Sequence, residues 1–552
     1  MGKMTTVVNE NRTVETTKRV ENFMGGYSYE LNPLDTLKMI TASSIFGEPQ
    51  YYRAGEFAEK GAKKDAVYSI DKCMIDYAIL SKDKFGGKKT SEIMEMAIDE
   101  ALKYDFGATL NWAVTLRREY LMRLNPQIIM VRASLMTDER KAFTEKNPGL
   151  FAEINNKVMF RADDVIAQIT YYLYKKGNKK QLPTILKNSW RKKIESLTQY
   201  ELYKYKNKGI GMLDSVRICH ANNTLIDEFM QKGTIDIAEE SQPWETLRSG
   251  GKSWAEILNT IDKMPHMAAL RNLRGIFSEI DNYETTVDFM NDLKSGVKKG
   301  KQFPFRYMSA KREVSKCEDV HNKVVIEDGL EECLDIACEN LPMLKGNNAF
   351  LSDNSGSAWG SCTSEYGTVT VAEIDNLSSV IGAANSERGV VVKFGDDMKK
   401  FEISKRQGIL AQAEKISSNR SSDVGGSTEG GIWKFFKEAL DKKIVYDNIF
   451  IFSDMQAGHG GLYGTYADKS EYCKLGFGIH GYVDVAKLIN EYRNKVNPKV
   501  NVYCIQTAGY NNVLVPENGY RTNILYGWTG KELVYADMMN KFWDEIDARK
   551  QQ

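Results

Sequence analysis

A chain of 552 residues, 42% hydrophobic and 27% charged, is long enough for roughly two to four folded units and too rich in core-forming residues for a largely disordered polymer. Lysine plus arginine total 75 against 74 for aspartate plus glutamate, so no global field attracts nucleic acid and any basic surface must be local. The eight cysteines are spread without a C-x-x-C pair, which argues against a zinc ribbon or a disulfide framework and for reduced thiols. Residues 1–20 lack the apolar core of a signal peptide, and no later stretch is apolar for the length of a membrane span. A soluble cytoplasmic protein without a membrane partner is expected. Met1-Gly2 with Thr6 fits the acylation pattern M-G-x-x-x-[ST], but that pattern is short and its meaning depends on the host.

From about residue 20 to 344 the apolar residues recur at helical spacing. Leu186, Trp190, Ile194 and Leu197 make one stripe, and Trp254, Ile257, Leu258 and Ile261 another. Breakers separate such segments at Gly86-Gly87, Asn147-Pro148-Gly149, Gly177-Asn178, Gly209-Ile210-Gly211 and Gly250-Gly251. Amphipathic helices with short connections over some three hundred residues predict an all-α array of degenerate repeats, each pair burying its stripe against the next.

Two basic tracts interrupt this array. The first holds Lys175, Lys176, Lys179, Lys180, Lys187, Arg191, Lys192 and Lys193 with no acid among them, and Lys204, Lys206, Lys208 and Arg217 follow. The second runs from Lys294 to Arg312 and interleaves Lys and Arg with Phe303, Phe305 and Tyr307. Lysine and arginine mixed with aromatics suit a phosphate backbone and unstacked bases, whereas one such tract alone reads more simply as a solvated helix face.

From residue 345 to 552 strand-length apolar runs (349–352, 390–394, 449–453, 500–505 and 524–526) alternate with helical stretches (371–384, 432–442, 483–496 and 532–546). This alternation predicts a parallel α/β sheet flanked by helices, with its ligand edge at the carboxyl ends of the strands. At that edge stands Asp353-Asn354-Ser355-Gly356-Ser357, a D-x-S-x-S cluster of hard oxygen donors of the kind Mg2+ or Mn2+ prefers. Thr428, in the turn Gly425-Gly426-Ser427-Thr428, and Asp454, just past the strand at 449–453, supply two more oxygens from two other loops. The plainer reading is that the hydroxyls only cap the following helices.

Nucleotide and catalytic motifs do worse. Gly458-His459-Gly460-Gly461 lacks the G-x-G-x-x-G spacing, and Gly251-Lys252-Ser253 follows Thr246 where a phosphate loop requires glycine. The five histidines (220, 266, 321, 459 and 480) form no H-E-x-x-H pair, no nucleophile elbow is present, and Cys333 and Cys338 read as buried helix residues. No catalytic residue is assigned.

The set Asp353, Ser355, Ser357, Thr428 and Asp454 resembles the metal-ion-dependent adhesion site of von Willebrand factor A domains. That resemblance implies a bound divalent cation and a sixth position open to water or to an acidic group from a partner. In the helical half, Met264-Pro265-His266-Met267-Ala268-Ala269-Leu270-Arg271-Asn272-Leu273-Arg274 resembles the MP-x-x-A-x-x-R-N-L signature of the TROVE module, with Asn22 to Gly26, Tyr51-Tyr52, Tyr205-Lys206, Arg217 to His220 and Phe303-Pro304-Phe305 in support. A TROVE-like module at 20–344 followed by an A domain at 345–552 is the layout of the Ro autoantigen family. The resemblance implies a ring of HEAT-like helical repeats closed by a Rossmann-like A domain. It implies a non-enzymatic, monomeric protein that binds small noncoding (Y-like) RNA and the single-stranded ends of misfolded RNA in RNA quality control. The RNA contacts it points to are Lys175, Lys176, Lys179, Lys180, Lys187, Arg191, Lys204, Lys206, Lys208, Arg217, His220, Arg271, Arg274 and Arg306. At the metal, an exoribonuclease or another protein is the expected partner. The chain departs from the family pattern at Met212-Leu213 and at Trp359-Gly360. Competing readings are a metal-dependent phosphoesterase or nuclease and a metal-dependent interaction scaffold.

Overall fold

The computed structural model describes residues 19–21, 27–29, 32–43, 90–119, 122–176, 182–206, 211–302, 304–339, 341–360, 369–454, 470–479, 482–507, 514–515, 520–526 and 532–550. Lys179, Lys180, Lys208, Phe303, His459, His480, the segments 22–26 and 458–461, Tyr51-Tyr52 and the acylation pattern lie outside them.

The chain begins with a short antiparallel pair, β1 (Arg19–Glu21) and β2 (Tyr27–Tyr29), and then runs through successive helices from Pro33–Ser43 to Lys323–Cys338. Local chemistry sets many of their starts. Asp105, Asn223 and Asn282 each accept a backbone N–H at the first turn of the helix they precede. Thr198 with Glu201 and Ser253 with Glu256 form reciprocal capping boxes. The last pair disposes of the phosphate-loop look-alike, since Ser253 caps Trp254–Thr260 and Lys252 pairs with Glu239. The predicted stripes are buried: Leu186, Trp190 and Ile194 are fully covered on Thr184–Glu195, and Trp254 and Ile257 are buried on Trp254–Thr260.

Two buried polar systems clamp the first half of the array. Trp190 Nε1 donates to Gln168 Oε1 at 2.7 Å, and Gln168 Nε2 donates to Gln127 Oε1 and Asn155 Oδ1 at 2.7 and 2.9 Å, so four helices share one satisfied network. Arg117 reaches Asp164 Oδ2 through Nε at 3.1 Å and Nη2 at 2.9 Å, and the backbone N–H groups of Phe160 and Arg161 donate to that same oxygen. Burial holds the Asp164 carboxyl above its ordinary pKa despite Arg117.

The α/β part holds a six-stranded sheet of order β10-β9-β6-β3-β4-β5, where β3 is Leu344–Asp353, β4 Ser386–Phe394, β5 Met398–Glu402, β6 Asn448–Ser453, β9 Asn501–Gln506 and β10 Thr522–Tyr526. β7 (Gly478–Ile479) and β8 (Tyr482–Val483) form a separate small hairpin. Each predicted strand is present, and the predicted helix at 371–384 is Val371–Ala384. The sheet is mixed rather than wholly parallel, because β5 returns along β4 in antiparallel register and closes one edge. After β3 the chain moves first to β4 on one side and later to β6 on the other, which makes the carboxyl ends of β3 and β6 a topological switch point.

The two parts share their cores. On one sheet face Phe350, Phe450 and Tyr503 stack in a row with ring centroids 4.7 Å apart, joining the buried cluster of helices 247–338. On the other face Leu351, Ile449 and Ile451 join the cluster that includes the helices between Leu34 and Ile235. Helix Lys323–Cys338 packs on Ile409–Ser417, and helix Pro33–Ser43 lies against β10, so both ends of the array meet the α/β part and the array closes into a ring.

Candidate cation site and nucleic-acid interface

Asp353 ends β3 and is completely buried. Its Oδ1 accepts the Ser355 N–H at 2.8 Å and its Oδ2 accepts the Ser453 hydroxyl at 2.5 Å, which fixes the carboxylate between two strand ends. Ser355 and Ser357 hydroxyls lie 3.1 Å apart, so the alternate serines share one side of the loop. Gly356 N–H donates to the Gly426 carbonyl at 2.9 Å, tying the D-x-S-x-S loop to the glycine turn that carries Thr428. Asp396 receives the Gly426 N–H and pairs with the Ser427 hydroxyl, and so sets that turn. Thr428 is buried and makes no side-chain cap bond to Glu429–Asp441, so capping does not account for its hydroxyl. Asp454 is buried directly after β6, with its backbone carbonyl accepting from Gln506 Nε2 at 3.0 Å.

Reading the sequence missed two buried acids at this edge. Asp375, on Val371–Ala384, has no exposed surface, and burial together with the charges of Asp353 and Asp454 pushes its carboxyl well above the usual range. Glu429, next to Thr428, is pushed up to about 7, mainly by burial. Burial also raises Asp353, against the hydrogen bonds from Ser453 and Ser355. Among the described residues no group of three or more His, Cys, Asp or Glu side chains is arranged to hold a metal by itself, so the donor chemistry of this edge rests on hydroxyls as much as on carboxylates. Two aspartates with two serines and a threonine, gathered from three loops, fit a hard divalent cation.

The basic residues divide into two groups. In the first tract Lys176, Arg191 and Lys192 are exposed and Lys187 and Lys193 are half-buried, on the adjoining helices Ala162–Lys176 and Thr184–Glu195. Arg217 and His220 are exposed on and just after Met212–Cys219, which packs against Thr184–Glu195. Together they place six cations, Lys176, Lys187, Arg191, Lys192, Lys193 and Arg217, on three adjoining helices, Arg217 also lying 3.8 Å from Asp214. Met212 is fully buried, so its departure from the family pattern serves packing. Cys219 lies near Lys187 and Arg191, but burial pushes its thiol up to about 12 and leaves it inert.

Most of the other predicted contacts are engaged within the chain. Lys175 pairs with Glu95 at 2.5 Å, Lys204 lies 3.8 Å from Glu245 and over the Tyr200 ring, and Lys206 donates to the Thr234 hydroxyl at 3.0 Å over the Tyr203 ring. Arg274 lies 3.3 Å from Glu313, Arg271 is exposed, and Arg306 stacks on Phe305 at 4.9 Å.

The second tract departs from the sequence expectation. Four of its seven bases meet acids from elsewhere in the chain, Lys294 with Glu332 at 2.7 Å, Lys298 with Glu339 at 3.3 Å, Lys311 with Glu414 at 2.9 Å, and Arg312 with Glu373, while Lys299 and Lys301 are exposed. Phe305 and Tyr307 are buried. Lys311 and Arg312 therefore join the array to the α/β part, Arg312 through the acid of the Thr370–Glu373 capping box.

The MP signature is a packing text. Met264, Ala269, Leu270 and Leu273 are buried, and the His266 ring lies against Gly296 and Gly300 of Tyr283–Gly300, where a Cβ would collide with it. His266 Nε2 is 3.0 Å from the Tyr307 hydroxyl, and burial, with Lys263 nearby, holds the imidazole below its ordinary pKa. A histidine held neutral contributes stability that is fully present above the unfolded-state value of about 6.5 and is lost as pH falls through the lowered folded value. Urea unfolding at pH 7.5 and pH 5 is expected to show a larger acid loss in wild type than in His266→Gln.

No family model matches the sequence, and neither does any curated protein. Among solved structures, the crystal structure of the Deinococcus radiodurans Ro (RSR) protein matches with a TM-score of 0.54 at 12% identity, over 91% of this chain and 99% of that one. No helix among the described residues is long and apolar enough to cross a membrane. A helical ring joined to a Rossmann-like sheet, matched along nearly its whole length, gives this chain the fold of a Ro protein.

Proposed function

We propose that the chain is a Ro-family RNA-binding protein that holds small noncoding, Y-like RNA and the single-stranded ends of misfolded RNA, without cleaving them. The observation that carries this reading is the concentration of six surface cations, Lys176, Lys187, Arg191, Lys192, Lys193 and Arg217, on adjoining helices of a closed array, in a chain whose net charge is only +1. A local cationic face on a curved helical surface follows a phosphate backbone, while shape selects the RNA. RNA quality control in the cytoplasm is the setting that fits such binding.

At the sheet edge, Asp353, Ser355, Ser357, Thr428 and Asp454 would hold Mg2+ or Mn2+. The ion, when bound, supplies a Lewis-acidic point that a water or a partner's acidic group can fill. Asp353 and Ser453 orient the strand ends, and the Gly356–Gly426 bond keeps the two loops together. An exoribonuclease or another protein docking at this edge is the corresponding partner.

Purified full-length protein incubated with Mg2+ and a labelled stem-loop RNA bearing a single-stranded 3′ tail tests the reading. The RNA is expected to be retarded on a native gel and recovered intact. Failure to retard it contradicts RNA holding, and cleavage lost in Asp353→Ala contradicts the non-enzymatic assignment.

A further inference from the structure

Helix Val371–Ala384 places Ala372, Asp375, Ser379 and Gly382 along one buried stripe. At Gly382 the helix approaches β3 so closely that a Cβ would overlap the Phe350 ring, so this stripe faces the sheet. One turn before Ser379 it presents polar groups to the strand ends. Asn376 accepts the Ser352 hydroxyl at 2.6 Å and donates to Asn354 Oδ1 at 3.1 Å, which is ordinary satisfied packing. Asp375 is different. It is wholly buried and faces Asp353 and Asp454, and apart from the Thr507 hydroxyl, which eases its charge, neither carboxylate oxygen has a hydrogen-bond partner.

An ionised carboxylate in such a place costs several kcal/mol unless a counter-charge compensates it, and a second and third carboxylate add repulsion. The charged side chains acting on Asp375 are themselves acids. Asparagine would fill the same volume without that cost. Without a counter-charge the carboxyl takes up a proton instead, and a cation at the oxygen-lined edge beside it would let it ionise.

We propose that Asp375 is an additional acidic group of the cation site, outside the D-x-S-x-S, threonine and aspartate set, and that it raises affinity for a divalent metal by adding a third negative charge. This rests on the cation reading above. Asp375 acts on the ion at longer range than a direct ligand, in keeping with the absence of a three-acid ligand group among the described residues.

The test is Mn2+ titration by calorimetry of full-length wild type, Asp375→Asn, Asp375→Ser and Asp353→Asn, with thermal unfolding of each in EDTA. Asp375→Asn and Asp375→Ser are expected to weaken Mn2+ binding by about 10–100-fold, the range typical for groups that support a metal without ligating it. In EDTA, Asp375→Asn is expected to melt higher than wild type at neutral pH, because asparagine has no carboxyl that must take up a proton on burial. Unchanged Mn2+ affinity in both Asp375 variants, with binding lost in Asp353→Asn, overturns the proposal and leaves the cation site standing. A lower EDTA midpoint for Asp375→Asn marks Asp375 as a packing residue and also overturns it. No Mn2+ binding by wild type removes both readings.

Discussion

Arg117→Ala lowers the unfolding free energy by about 3–5 kcal/mol, the cost of leaving one member of a buried ion pair without its partner. Asp164 is 2% exposed and cannot regain water, and the two backbone N–H groups that remain on its Oδ2 do not replace a guanidinium. The Arg117→Met, Asp164→Asn double variant recovers most of the loss, since both charges and their desolvation cost are removed while the asparagine Oδ1 still accepts the backbone N–H groups. Urea midpoints of the three proteins check this. A loss under about 1 kcal/mol for Arg117→Ala would mean that the pair is solvated and does not clamp Phe106–Arg118 to Ala162–Lys176.

The fourfold exchange Lys176→Glu, Lys187→Glu, Arg191→Glu, Lys192→Glu weakens RNA binding by on the order of a hundredfold or more at low salt, through loss of phosphate contacts. It also flattens the dependence of log affinity on log salt by about 3, at about 0.7 per single-strand contact for four contacts. All four side chains are exposed or half-exposed on the protein surface, so folding is expected to survive the exchange. Lys311→Ala with Arg312→Ala is the contrasting pair. It removes the links to Glu414 and Glu373, and is expected to lower the thermal midpoint while leaving the salt slope of RNA binding unchanged. Filter binding and thermal melts of both variants separate the two roles. Equal RNA loss in both would show that the division between the tracts is wrong.

Much of the architecture is written locally. Strand-length apolar runs such as Ile449–Ile451 are buried on both faces, and that burial makes them continuous rather than alternating in sequence. The D-x-S-x-S cluster could be placed because it follows such a run. β5 escaped notice because it is a half-exposed edge strand, with Lys399, Lys400 and Glu402 on the surface, and polar text of that kind reads as loop. Four bases of the second basic tract look unpaired in the sequence because charge balance is three-dimensional. Glu331, Glu332, Glu339, Glu373 and Glu414 come from helices 20 to 100 residues onward, and no window along the chain shows them beside Lys294 or Lys311. Asp375 was hidden by company. In Val371-Ala372-Glu373-Ile374-Asp375-Asn376-Leu377 an acid two residues after a capping glutamate looks solvent-facing, and only the approach of the helix to β3 turns it inward.

RNA affinity of the full-length wild-type chain measured from 50 to 300 mM salt tests the central claim most directly. Six surface cations, Lys176, Lys187, Arg191, Lys192, Lys193 and Arg217, predict a straight line of log affinity against log salt with a slope of about −4, at about 0.7 per single-strand contact. A flat line, or no RNA retained at 50 mM, would contradict the account.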